Sequence, residues 1–476
     1  MSQQQDVPLR KAALPLRRRR DALVFSRYVA SCGIAIYHWY DRVPATHVPG
    51  IVSAGSPFNM DDRRAHGIMH WFSTWTSYFF ILSGFVLAMA RLTSDNPDDV
   101  KSIPFFVAER LTTTYPAYAL TLVGLLLLLF AELYQLSSGD WVSFFQHVAL
   151  VQAWVPPDSM RSPGPQENFS IVWNGPSWFM SALLAYWVLF KPLYFGLRRL
   201  PKPLLWPALV LCWVASGAAG LDAYFDHPLA RGLAPPRWPR NAKSFADVYH
   251  YNPVFSINSF VGGMILSRLF CEAEASESRG ERRALWRQIG ARGAALAYAF
   301  LAVFAFAFRV PPSFIQHKKD GTYDIGGLFA AIHNGGLMPL HGLLIVGLCT
   351  EEENVAQLFS KRSFVWWGSI SYEQYLFQTL VFKFLGDIFT ALSGGPEGKP
   401  YDNLTWQFAP PLALTLVAMA AHYGFSVPVG KWLRNRLRAL EGARTQPPFS
   451  QSSSQSYGAI ANTRETSKLA TSTGSV

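Results

Sequence analysis

Arg27 and His38 stand eleven residues apart in DALVFSRYVASCGIAIYHWY, a stretch otherwise suited to hydrocarbon. At about 100° per residue, eleven steps make three turns plus about 20°, which puts both side chains on one helix face about 16 Å apart along the axis. An ionisable group at that depth is costly, so it marks either a site or a long side chain snorkelling to the surface. Histidine titrates near neutrality and can take a proton from a hydroxyl and return one to a leaving group. Asp41, three residues further on, is the natural acceptor for the other ring N–H; it would fix the tautomer and stabilise the imidazolium. The plainer reading makes His38 an interfacial histidine and Arg27 a snorkelling residue, and this pair alone leaves both open.

Other polar constellations are weaker. Asp62, His66 and His70 follow an i, i+4, i+8 spacing, but the outer two stand about 12 Å apart on a helix, too far for one ion. A pH-sensitive rim or plain solvation is favoured there, and no metal is expected. In AIHNGGLMPLHGLL, His333, Asn334 and His341 interrupt an apolar run beside Gly335, Gly336 and Pro339. A helix broken in this way lines a substrate path or makes a kink facing a cavity. Cys32, Cys212, Cys271 and Cys349 form no CxxC pair and read as small apolar fillers.

The elements holding these groups must lie in a bilayer. Half of the 476 residues are hydrophobic and only 15% are charged, against about 25% in soluble chains. Apolar runs near 21–40, 71–91, 115–135, 177–197, 203–221, 253–270, 290–308, 326–349, 363–385 and 408–428 predict an all-α polytopic protein of about ten transmembrane helices. The segment 141–155 is too short to cross and reads as interfacial or re-entrant. With both termini cytoplasmic, roughly twenty-four Lys and Arg fall inside against roughly twelve outside, as the positive-inside rule asks. The sequons at Asn168 and Asn403 then both land on outer loops. The net charge of +11 is explained by this orientation, and no nucleic-acid motif accompanies it. Residues 1–20 read as a basic cytosolic arm, 21–438 as the membrane domain, and 439–476 as a Ser/Thr-rich cytosolic tail expected to be disordered. Ser83-Gly84 is expected to let the second helix pack closely on the first.

Several motifs, in order, resemble those of the acyltransferase 3 family of integral membrane enzymes. The Arg27-x10-His38 spacing comes first, then SYFFILSGFVLAMAR at 77–91 and FFVAERLTTTYPAYALTL at 105–122. NGPSWFMSALLAYWVLFKPLY at 174–194 and GSISYEQYLFQ at 368–378 complete the series. The chain departs from the family pattern at Thr113, where many members have a second Arg, at Leu183, often Glu, and at Gln378, often His.

The resemblance implies acyl transfer from a cytosolic acyl-CoA, most simply acetyl-CoA, to a hydroxyl of a glycan, glycolipid or small metabolite across the membrane. Under it, His38 is the general base, Arg27 polarises the donor or fixes its path, and Asp41 orients the imidazole. Arg110 and Tyr115 belong to the donor site, with the Arg110 guanidinium on a CoA phosphate. Trp173, Asn174, Ser177 and Trp178 form an outer rim that binds a sugar-like acceptor or anchors the interface, and His333 is a further acceptor-side candidate. Acyl-CoA is a substrate, and no resident cofactor is expected. The bilayer is a partner and nucleic acid is not; the location is an endomembrane or the plasma membrane. A transporter using Arg27, His38 and His333 as a relay is the competing class. A membrane-bound O-acyltransferase of the other type would instead centre on His333-Asn334.

Overall fold

The computed structural model describes residues 21–42, 72–94, 101–131, 136, 138–155, 173–224, 251–277, 280, 284–308, 335–350, 354–392 and 404–445. The arm before 21, Asp62, His66, His70, both sequon asparagines, His333, Asn334 and the tail beyond 445 lie outside the described residues, as does the side chain of Asp41. Of the two compact units of the chain, Met1–Arg434 and Asn435–Val476, the first holds nearly everything described.

Among the described residues the chain is helical and has no strand. The helices are α1 (Asp21–Arg42), α2 (Trp75–Leu92), α3 (Ile103–Ala131), α4 (Ser138–Val148), α5 (Trp178–Arg199), α6 (Leu205–Tyr224) and α7 (Pro253–Glu277). They continue as α8 (Leu285–Phe308), α9 (Met338–Leu348), α10 (Asn354–Phe359), α11 (Arg362–Ser369), α12 (Ser371–Leu392), α13 (Leu404–Ala421) and α14 (Val427–Thr445). Five described segments are long and apolar enough to cross a membrane: Phe72–Leu92, Ile103–Ala131, Gly175–Arg199, Pro253–Glu277 and Ala409–Glu441. In hydrocarbon every backbone N–H and C=O must be satisfied within the protein, and helices achieve this without partners.

Local chemistry explains where the helices break. Gly335 takes φ +120, a conformation side chains disfavour, so α9 starts only after it, with Pro339 in its first turn where a missing N–H costs nothing. His333 and Asn334 of the expected interruption lie outside the described residues. The predicted span at 363–385 is two helices, α11 and α12, parted at Ile370. A π-helical turn, His422–Ser426, joins α13 to α14, and there His422 Nδ1 lies 3.0 Å from Oε1 of the buried Glu373.

Close packing centres on α2 and α7. A Cβ at Gly84 would overlap the Phe260 carbonyl oxygen, and one at Gly263 would overlap the Ile81 carbonyl oxygen. Two backbones thus meet where both side chains are absent. This corrects the expectation for Ser83-Gly84: the partner of the small residue is α7, not α1. Buried side chains of α2 and α7 contribute to two apolar clusters, one shared with α3, α5 and α12 and the other with α8 and α9. The α1 helix supplies Ile34 and Trp39 to the first and Leu23 and Ala30 to the second.

Replacing Gly84 or Gly263 with Ala should destabilise the purified protein by about 1–3 kcal/mol, because the obstacle is backbone and cannot rotate away. Gly217→Ala, with open space around it, should be neutral or gain up to about 1 kcal/mol from helix propensity. Thermal unfolding in detergent measures both.

Candidate active site

The α1 helix touches α2, α9, α10, α11, α12 and α13, so it runs through the middle of a bundle. Its contacts with α11 and α12 form a parallel ladder. A Cβ at Gly368 would overlap the Val24 carbonyl. Higher up, Gln374 Nε2 lies 3.1 Å from Cys32 Sγ, and at the top His38 Nδ1 lies 3.0 Å from Gln378 Oε1. His38 is half-buried and Gln378 is buried.

That last contact fixes the chemistry of the ring. Gln378 Nε2 donates to the Tyr375 carbonyl at 2.6 Å; turning the amide over would set its oxygen against another oxygen. Oε1 therefore faces His38 as an acceptor, and Nδ1 must carry the proton. In the neutral ring the lone pair is then on Nε2, and that form of imidazole can accept a proton from a hydroxyl. The ring is thus oriented by an amide on α12, 340 residues away in sequence.

Arg27 sits lower on the same face. It keeps solvent-accessible surface, and its charge acts on Tyr78 of α2, whose hydroxyl is 2.5 Å from Ser26 Oγ. His341 meets the Tyr78 ring edge-on and the Trp75 ring at a tilt, and hydrogen-bonds Tyr298 through Nδ1. Between Arg27 and His38 the shared face carries Ser31 and Ile34, which are 0% and 1% exposed. The guanidinium and imidazole are aligned but do not open onto one another along that face.

The other expected residues fall into two groups. Trp173, Asn174, Ser177 and Trp178 are all 5% exposed or less, and in this conformation they join helices. Asn174 Nδ2 reaches both Thr121 Oγ1 and the Leu376 carbonyl at 3.2 Å, tying α3 to α12. Gln152 Nε2 donates to the Ser177 carbonyl at 3.1 Å, and Trp173 Nε1 to the Asp140 carbonyl at 3.3 Å. Arg110 and Tyr115 lie half-buried on α3, Arg110 over the Phe106 ring at 5.2 Å and Tyr115 donating to the Val148 carbonyl at 2.9 Å. Sequence reasoning missed the role of Gln378, although the late motif had singled that position out as a departure. Among the described residues no group of His, Cys, Asp and Glu has the arrangement to hold a metal ion.

A family model described as an acyltransferase domain, that of the acyltransferase 3 family, matches residues 21–429. The chain is also similar to the acyltransferase MdmB of Streptomyces mycarofaciens, 27% identical over 246 residues, which is 50% of this chain and 54% of that protein. It therefore spans about half the length of this curated relative. No solved structure matches.

Asn174→Ala should leave the Thr121 hydroxyl and the Leu376 carbonyl without their donor and cost about 1–3 kcal/mol. A lowered thermal midpoint, with unchanged helix content by circular dichroism, is the expected result.

Proposed function

The chain belongs to the acyltransferase 3 family, and from that premise we propose that it is a membrane O-acyltransferase. It moves an acyl group, acetyl by default, from acyl-CoA to a hydroxyl of a carbohydrate, glycolipid or small metabolite. The proposal includes the ten-span topology with both termini cytoplasmic, a membrane domain over 21–438 flanked by an arm and a tail, and residence in an endomembrane or the plasma membrane.

The observation that carries this reading is the His38–Gln378 contact, because it sets the imidazole in the tautomer a general base needs. Nε2 takes the proton of the acceptor hydroxyl as its oxygen attacks the thioester carbonyl. The tetrahedral intermediate collapses, the C–S bond breaks, and the imidazolium returns the proton to the departing thiolate. Atoms and charge balance, with an ester and free CoA as products. Arg27 lies about 16 Å before His38 on the donor's side, and an extended pantetheine arm covers a distance of about 15 Å by ordinary bond lengths. Ser31 and Ile34 occupy that interval, so entry of the arm displaces them.

Transfer is tested in proteoliposomes with labelled acetyl-CoA and a panel of hydroxyl acceptors, the panel being chosen from products lost in a deletion strain. His38→Ala should abolish transfer while helix content by circular dichroism stays unchanged, the midpoint falling because the buried Gln378 Oε1 loses its donor; full activity in that variant removes the mechanism. Gln378→Leu should lower kcat about 10- to 100-fold with little change in donor KM, since it disturbs the ring and not the donor's binding. Gln378→Glu, which still accepts the Nδ1 proton, should retain more activity than the Leu variant. Net solute uptake without release of CoA would indicate a transporter instead.

A further inference from the structure

Arg110 and Thr113 are three residues apart on α3, so they share a helix face with their Cβ atoms about 5–6 Å apart. The chain has no second Arg on that face, yet a guanidinium is present there. Arg434 of α14 donates through Nη2 to Thr113 Oγ1 at 3.1 Å, across 321 residues of sequence. One turn earlier on α14, Gly430 lies against α3 so closely that a Cβ would stand 2.8 Å from the Thr112 carbonyl oxygen. The approach of the two helices therefore requires glycine, and it delivers Arg434 to the Arg110 face.

The charges gathered there repel one another. Arg110 feels the positive charge of both Arg434 and Arg91, with Glu109 as the carboxylate acting on it; that carboxylate is itself held by Lys101 at 3.0 Å. The Nε atoms of Arg110 and Arg434 are shielded from solvent and make no hydrogen bond among the described residues. Half-buried guanidinium groups with idle donors are an arrangement that an anion stabilises, and planar guanidinium forks match phosphate oxygens.

We propose that Arg434 supplies the guanidinium missing at Thr113, and that it grips phosphate oxygens of the donor CoA together with Arg110 and Arg91. This rests on acyl-CoA being the donor. The heights agree. Tyr372 donates to the Thr114 carbonyl at 3.0 Å, and Gln378 beside His38 is six residues, or about 9 Å, further along α12. The α3 helix runs parallel to α12, since Gly124 meets Leu380 further along, and Arg110 lies four residues, about 6 Å, before Thr114. Phosphates held at Arg110 thus lie about 15 Å along the axis from the imidazole, one pantetheine arm.

Binding of CoA, 3′-dephospho-CoA and pantetheine to the full-length protein in phosphatidylcholine nanodiscs, by calorimetry, tests the proposal. Arg434→Gln should weaken CoA about 10- to 100-fold, the worth of one charge-assisted hydrogen bond, and leave pantetheine unchanged. Arg434→Lys, which keeps the charge without the fork, should fall between, and adding Thr113→Arg to Arg434→Gln should restore affinity. Loss shared by CoA and 3′-dephospho-CoA assigns the diphosphate, and loss confined to CoA the 3′-phosphate; both support the proposal. Unchanged CoA affinity in Arg434→Gln while the native protein binds CoA overturns it and leaves the acyl-CoA reading standing. No CoA binding by the native protein removes both. If Arg434→Gln alters retention of phosphatidylglycerol but not CoA affinity, the cluster belongs to a lipid phosphate and the proposal falls.

Discussion

A polar side chain inside a bilayer must be answered by protein, because no water is there to answer it. Much of the architecture around α1 follows from this demand. His38 is answered by Gln378, which is answered by the Tyr375 carbonyl. Ser26 is answered by Tyr78, and Asn174 by Thr121 and the Leu376 carbonyl. The answers to His38, Ser26 and Asn174 come from other helices, so satisfying these groups also fixes the register of the bundle. Between apolar helices in lipid there is little hydrophobic drive to associate, and such bonds, with the glycine crossing of α2 on α7, carry the specificity instead.

The parallel course of α1 beside α11 and α12 converts this register into a scale of depth. Val24 meets Gly368, Cys32 meets Gln374 and His38 meets Gln378. The same helix α12 is tied to α3 through Tyr372 and Thr114. One rod therefore sets His38 relative to the basic cluster on α3, and a slip of one residue on α12 would move every rung by about 1.5 Å. Geometry on that scale matters for proton transfer, which needs donor and acceptor within hydrogen-bond reach.

What could be read in the sequence was what is local. Arg27 and His38 share a face because helical period alone puts them there, and the start of α9 was legible in Gly335 and Pro339. The nearest carboxylate, Asp41, was the only orienting partner that a local rule could offer. The amide that faces the imidazole is 340 residues away, and nothing in either segment's periodicity points at the other. The partner of Gly84 escaped for the same reason: a small residue announces a close approach without saying to which helix. Thr113 marked a missing charge, yet only the fold could show that α14 returns to fill the gap.

Ser31 and Ile34 give α1 a second property. Ionisable groups in hydrogen-bonded contact along a membrane helix would offer protons a relay, which a membrane that holds a gradient does not tolerate. A buried hydroxyl and one branched aliphatic side chain stand between the guanidinium and the imidazole on this face, and the hydrocarbon of Ile34 has no atom that can pass a proton on. The two ionisable groups of α1 are thus aligned as separate stations with an apolar gap between them.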